Sequence, residues 1–239
     1  MTIHAAASSI ADRQALSQSE PPHFDRLAKP YRWLEYFSFG PLLQRTRLCW
    51  LHEISHCENA LVLGDGDGRF TAALLTANPY IHVHAVDVSA AMLHLLSSRC
   101  GSHGQRITTE QADLRTWTPQ AVSAAENATR YDLIVTHFFL DCLTADEAAN
   151  LANRLSSATT PETTWLVSEF AIPRTRYGRW VAAPVVALLY RAFGLITGLR
   201  VRRLPDHASV LEHAGWQLDA ARPHAGGLLV SQLWKRIQQ

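Results

Sequence analysis

The chain has 239 residues, a length that one α/β domain fills more readily than two. Hydrophobic residues make up 47% and charged residues 18%, which supports a sizeable core and excludes a chain disordered throughout. Lys and Arg number 22 against 21 Asp and Glu, so the formal charge is +1, no global field draws the molecule to a polyanion, and no nucleic-acid partner is expected.

Cys49, Cys57, Cys100 and Cys142 form no C-x-x-C pair and suggest neither a zinc site nor a disulfide framework; they read as thiols of a reducing cytoplasm. The amino-terminal residues lack the basic start and long apolar run of a secretory signal, so a cytoplasmic protein is expected. A membrane-spanning helix needs about 20 apolar residues, and the nearest stretch, 180–199, is broken by Pro184, Arg191, Gly194 and Gly198.

Residues 1–22, small and polar with a stop at Pro21-Pro22, read as a flexible tail before a single folded domain over 23–239. From 23 to 58 the spacing of Phe24, Leu27, Tyr31, Leu34 and Phe37, with a break at Gly40-Pro41, predicts a cap of two helices. An apolar strand at 60–63 then meets Gly64-Asp65-Gly66-Asp67-Gly68, and Phe70, Ala73, Leu74 and Leu75 follow at helical spacing. The alternation continues with a strand at 81–86, a helix at 90–98, a short strand near Ile107 and a polar helix near Ala121. A strand at 133–136, a helix at 145–156 and a strand at 165–170 complete it. Strands separated by helices predict a mostly parallel sheet with helices on both faces. Residues 172–204 read as a helical insertion after the fifth strand. Pro205-Asp206 opens a short helix closed by Gly215, and 216–222 with 228–235, joined around Gly226-Gly227, predict a two-stranded antiparallel finish.

Gly64, Gly66 and Gly68 directly follow a buried strand, where only glycine lets the backbone turn sharply while a ligand lies against it; a tight turn of purely structural use is the alternative. Asp87 ends the next strand at the distance where a carboxylate accepts from a ribose diol. With Ser89 placed to cap the following helix, Asp87 is free for a ligand. Asp113, in Ala112-Asp113-Leu114, stands where the third strand ends, either beside a nucleobase or as a turn aspartate. All three turns fall at the carboxyl edge of the sheet, where open α/β sheets bind ligands. The dinucleotide pattern G-x-G-x-x-G requires glycine at position 69, which is Arg69.

With G-x-G-x-G in its place, the chain resembles the class I S-adenosylmethionine-dependent methyltransferases: 61–68 looks like their first motif, 86–93 their ribose-binding turn and 112–114 their adenine-side turn. The resemblance runs from about residue 24 to the end and implies a Rossmann-like seven-stranded sheet with an antiparallel last strand. It also implies S-adenosylmethionine as cofactor and S-adenosylhomocysteine as product. Cofactor contacts then fall to Tyr31, Gly64, Asp65, Gly66, Gly68, Asp87, Val88, Asp113, Leu114 and Thr136. Tyr31 enters because the leading helix looks like the ubiquinone/menaquinone-biosynthesis branch. Family members carry an acid two residues before the first glycine, and here that residue is Val62; Asp65 and Asp67 are the substitutes from within the loop, or they shape the turn. Val62 is also what favours the alternative of a non-catalytic cofactor-binding scaffold or partner subunit.

The segment 131–142 resembles the fourth motif, whose residues face the reacting methyl group, so Thr136, His137, Phe138 and Asp141 stand nearest to chemistry. Methyl transfer mainly aligns acceptor and sulfonium and removes a proton from the acceptor; His137 and Asp141 are the candidate bases, with a lining role and a helix-terminal role as their alternatives. No Asn/Asp-Pro-Pro-aromatic signature for a flipped base follows the strand. Asp141 and Glu169 read as isolated acids, which does not favour a magnesium-dependent enzyme, and no metal is expected. Seven arginines (Arg174, Arg176, Arg179, Arg191, Arg200, Arg202, Arg203) surround an apolar stretch with no acid between Glu169 and Asp206. That pattern suits a small apolar acceptor with an anionic group, peripheral contact of 174–203 with an anionic membrane, or a packed lid with its arginines in solvent.

Overall fold

The computed structural model describes residues 40–119, 130–173, 175, 178–188 and 206–237. The expectations for Tyr31, the tail, the helix near Ala121, the arginine side chains of 174–203 and most of that insertion fall on residues outside these.

Seven strands form one sheet: β1 (Asn59–Leu63), β2 (His82–Asp87), β3 (Ile107–Gln111), β4 (Tyr131–His137), β5 (Thr159–Phe170), β6 (Trp216–His224) and β7 (Leu229–Arg236). Their order is β3-β2-β1-β4-β5-β7-β6. β1 to β5 pair in parallel, and β7 runs antiparallel between β5 and β6, as the terminal hairpin predicts. Chain order reverses direction across the sheet between β1 and β4, which opens a crevice at their carboxyl ends.

The described helices include α1 (Gly40–Leu48), α2 (Arg69–Ala77), α3 (Ala90–Arg99), α4 (Ala145–Leu155) and α5 (His207–His213), and within the insertion a π-helix, Gly178–Ala182, runs into helical residues 183–188. The central strands are apolar on both faces because both are covered, and alternation assigns each residue to one side. Ala60 and Val62 of β1, Val83 and Ala85 of β2, and Leu133 and Val135 of β4 pack with Phe70, Leu74 and Leu75 of α2 and Leu96 of α3. Leu61, Leu63, Val86, Ile134, Trp165 and Val167 face the other way, onto Ala148, Leu151 and Leu155 of α4 and Leu211 of α5. α4 starts with a capping box: Thr144 Oγ1 accepts from Glu147 N at 3.2 Å, and Glu147 Oε2 accepts from Thr144 N at 2.8 Å. Asp206 caps α5 by accepting from Ser209 N.

β5 is longer than the expected 165–170. Its Thr-rich first part looks like a loop, yet Thr163 Oγ1 donates to Tyr131 O at 2.7 Å and the pairing with β4 shifts register between Tyr131 and Leu133. β-branched threonines suit such a strand end. No helix among the described residues is long and apolar enough to cross a membrane.

Candidate active site

Gly64, Gly66 and Gly68 all adopt the left-handed conformation, with φ of +67°, +61° and +76°, and each is glycine for a different further reason. A Cβ on Gly64 would lie 2.6 Å from the ring of Phe139, and one on Gly68 would lie 2.8 Å from the Leu96 backbone. The first lets the turn after β4 close over the loop; the second lets α2 and α3 pack closely. A Cβ on Gly66 would meet only the Met92 sulfur, at 4.0 Å, so the loop offers open backbone there. That open, left-handed turn lies at the switch point of the sheet, where open α/β sheets bind ligands.

Asp65 is buried, and its Oδ2 accepts from Thr71 N at 3.0 Å and Thr71 Oγ1 at 2.7 Å, satisfying an amide in the first turn of α2. Burial pushes its carboxyl up to about 6, against the Thr71 hydrogen bonds and the nearby Arg47 charge. Asp67 pairs with Arg69 at 3.1 Å and Arg99 at 2.9 Å, and so shapes the loop. Val62 lies in the core beside Phe70.

Asp87 is not the unengaged carboxylate that Ser89's capping would leave. Ser89 does cap α3, accepting from Met92 N at 3.3 Å, but its own amide donates to Asp87 Oδ1 at 2.9 Å. The amides of Gly66 and Val88 add to this, so the carboxylate is preset by backbone, including the glycine loop itself. Burial still dominates and raises it to about 6. Val88 is half-buried, its carbonyl accepting from Gln111 Nε2 at 3.1 Å.

On the third turn, Asp113 is engaged by Arg115, whose Nε lies 2.9 and 3.0 Å from the two carboxylate oxygens and whose Nη2 lies 2.6 Å from one of them. These hydrogen bonds hold it below the usual carboxylate range. Leu114 is buried in the core with Trp117. Asp113 is thus hydrogen-bonded within its own turn, and its neighbour Leu114 faces inward.

Thr136 and His137 leave β4 on opposite faces. Thr136 Oγ1 accepts from Trp165 Nε1 at 3.0 Å, deep in the core. His137 is 3% exposed and meets the Phe70 ring edge-on at 4.5 Å, and neither ring nitrogen has a hydrogen-bond partner among the described residues. Burial, then the Arg47 charge, hold it neutral, well below its ordinary pKa. Phe138 follows with φ of +54°, rare for a non-glycine residue, and its ring packs 5.3 Å from that of Phe170. The Arg47 guanidinium lies 5.3 Å from the Phe138 centroid. Arg47, buried at the end of α1, stands beside the candidate residues Phe138, Asp65 and His137, a position that its place in the sequence does not announce.

Asp141 and Glu169, isolated in sequence, are neighbours in space, which corrects the expectation. β4 and β5 are adjacent, and Glu169 Oε1 accepts from Phe139 N at 3.2 Å and Leu140 N at 2.9 Å, in the turn that carries Asp141. Burial, then the Asp141 charge, raise the Glu169 carboxyl well above the ordinary range.

This strand order, with a left-handed glycine loop after β1 and a buried acid after β2, is the class I methyltransferase fold, Rossmann-like with antiparallel closing strands. Residues 61–164 match the family model described as a methyltransferase domain. No curated protein matches the sequence. Among solved structures, the chain is similar to the mitomycin 7-O-methyltransferase MmcR, with TM-score 0.67 and 18% identity over 89% of this chain and 60% of that one. It is similar to the S-adenosylmethionine-dependent methyltransferase SibL, with TM-score 0.64 and 18% identity over 97% of this chain and 68% of that one. A third is the N,N-8-amino-8-demethyl-D-riboflavin dimethyltransferase RosA from Streptomyces davawensis, with TM-score 0.59 and 20% identity over 92% and 63%. The chain thus spans 60% to 68% of the lengths of these three proteins.

Proposed function

We propose that this protein transfers the methyl group of S-adenosylmethionine to a small, largely apolar, aromatic or quinone-like acceptor. The observation that carries the reading is the pairing of the open Gly66 turn with the Asp87 carboxylate, preset by the loop's own amide at the switch point of the sheet. Gly64, Gly66 and Gly68 would hold the cofactor's backbone-facing side, Asp87 its ribose hydroxyls, and Asp65 the neighbourhood of its positive charge. Two carboxyls raised by burial to about 6 gain from a cationic ligand, which supports the fit. When bound, S-adenosylmethionine supplies an electrophilic methyl carbon on a sulfonium.

The chain's own residues orient the acceptor and receive its proton. Phe138 and Phe170, partly exposed at the carboxyl ends of β4 and β5, present aromatic surface, which supports a flat acceptor. His137 and Asp141 are the groups proposed to accept the proton. The neighbours named above include one O-methyltransferase and one N,N-dimethyltransferase, so the acceptor atom is left open between oxygen and nitrogen. A membrane role for 174–203 is carried as a proposal, supported by the exposure of Trp180 (72%) and Leu188 (70%). Co-sedimentation with anionic vesicles tests it. The main reading is tested by calorimetric titration with S-adenosylmethionine: one saturable site per chain is expected, and no binding by the wild-type protein overturns it.

A further inference from the structure

We propose that Glu169 is the positioning residue of the acceptor side, its buried carboxyl group holding the turn that carries Phe138, Phe139 and Asp141. The assignment rests on the methyl-transfer reading for its purpose but on local geometry for its substance.

Glu169 lies near the carboxyl end of β5, on the face that also carries Trp165 and Val167, and is 3% exposed. A glutamate so deep among apolar side chains is costly unless its oxygens answer specific donors. Its Oε1 does so, accepting from the consecutive amides of Phe139 (3.2 Å) and Leu140 (2.9 Å). Those amides open the short 3₁₀ turn Leu140–Cys142, and Phe139, at the N-cap, supplies no side-chain cap. The glutamate of the next strand therefore provides the cap that the turn lacks. The second oxygen, Oε2, is buried without a hydrogen-bond partner among the described residues, so the group can carry a proton there and still accept at Oε1.

This brace reaches both halves of the site. Upstream, Phe138 is held in a left-handed conformation that an aromatic residue adopts only when its surroundings enforce it. Phe138 N donates to Ser168 O at 2.7 Å, so β5 grips the turn through two successive residues, Ser168 and Glu169. Within the turn, Phe139 covers the space where Gly64 has no side chain, linking it to the cofactor loop. Downstream, Asp141 sits one residue beyond the second braced amide and near enough for its charge to act on Glu169. Releasing the amides frees Phe139 from Gly64 and lets the aromatic and acidic groups drift together.

The test compares Glu169→Gln, which keeps an acceptor oxygen, with Glu169→Ala, which removes it, and Glu169→Asp, too short to span the same distance. The readouts are amide hydrogen exchange across 138–142 and S-adenosylmethionine affinity by calorimetry. Expected are wild-type exchange and affinity within about twofold for Glu169→Gln, with exchange at Phe139 and Leu140 faster and affinity weaker by about tenfold in the other two. Should Glu169→Ala fail to fold, Glu169→Asp and Glu169→Gln carry the comparison. Unchanged exchange in both Glu169→Ala and Glu169→Asp overturns the proposal, as does failure of Gln to rescue. Absence of binding by the wild type would instead defeat the methyl-transfer reading, with the exchange measurement still judging the brace.

Discussion

Acidification should weaken S-adenosylmethionine binding through Asp87, and the size of the effect follows from its surroundings. Burial lifts this carboxyl from 3.8 to about 6 even though the amides of Ser89, Gly66 and Val88 oppose the shift. With such a midpoint it is ~90% ionised near pH 7 and ~10% ionised near pH 5. A ligand that needs the carboxylate as ribose acceptor then loses about tenfold in affinity between those pH values, or ~1.4 kcal/mol. The unliganded protein responds in the opposite sense. A native pKa raised above the unfolded value gives stability that is full below about 4 and lost as pH rises through about 6. A shift of about two units corresponds to roughly 2–3 kcal/mol. Thermal unfolding should therefore show the free protein losing this contribution toward neutrality while the cofactor restores stability most strongly there. Asp87→Asn should flatten Asp87's share of both trends, and Asp87→Ala should weaken binding by at least about tenfold, since a charge-assisted hydrogen bond contributes ~1.5–3 kcal/mol. Calorimetry between about pH 5 and pH 8 decides it. Wild-type affinity independent of pH, together with wild-type affinity in Asp87→Ala, would refute the reasoning.

Gly68→Ala and Gly66→Ala should separate packing from binding. The first forces a Cβ to 2.8 Å from the Leu96 backbone and should cost ~2–4 kcal/mol in thermal unfolding, while the second should cost ~1–2 kcal/mol but abolish most cofactor binding. Thr136→Val removes the acceptor of the buried Trp165 indole and should destabilise by ~1–3 kcal/mol with cofactor affinity retained, as calorimetry on the folded variant will show. Asp67→Ala breaks only loop ion pairs; stability should fall by at most ~1 kcal/mol and affinity should hold within about twofold. If His137 receives the acceptor's proton, His137→Phe should depress turnover with cofactor affinity intact; equal turnover would remove that role.

The alternation of apolar strands and helices was readable because each central strand is buried on both faces and each intervening helix presents one apolar stripe. The glycine loop was readable because left-handed turns leave few other choices. Two features of the site have a local signal in the sequence. Thr136 and His137 are consecutive in a strand, so alternation sends their side chains to opposite faces of the sheet, as the structure has them. Asp113 is followed two residues later by Arg115, close enough to claim the carboxylate. Other features had no local signal. The meeting of Glu169 with the turn before Asp141 depends on β4 and β5 being neighbours, and Arg47 reads in sequence as one more basic residue in a helix's last turn.

The most direct test of the account supplies the purified protein with S-adenosylmethionine carrying a labelled methyl group and a cellular extract of small molecules, then follows the label by mass spectrometry. Protein-dependent label in a small apolar metabolite, with matching S-adenosylhomocysteine, is the predicted result, and Asp87→Ala should suppress it. Binding of the cofactor with no label transferred to any metabolite would contradict catalysis and leave a cofactor-binding scaffold.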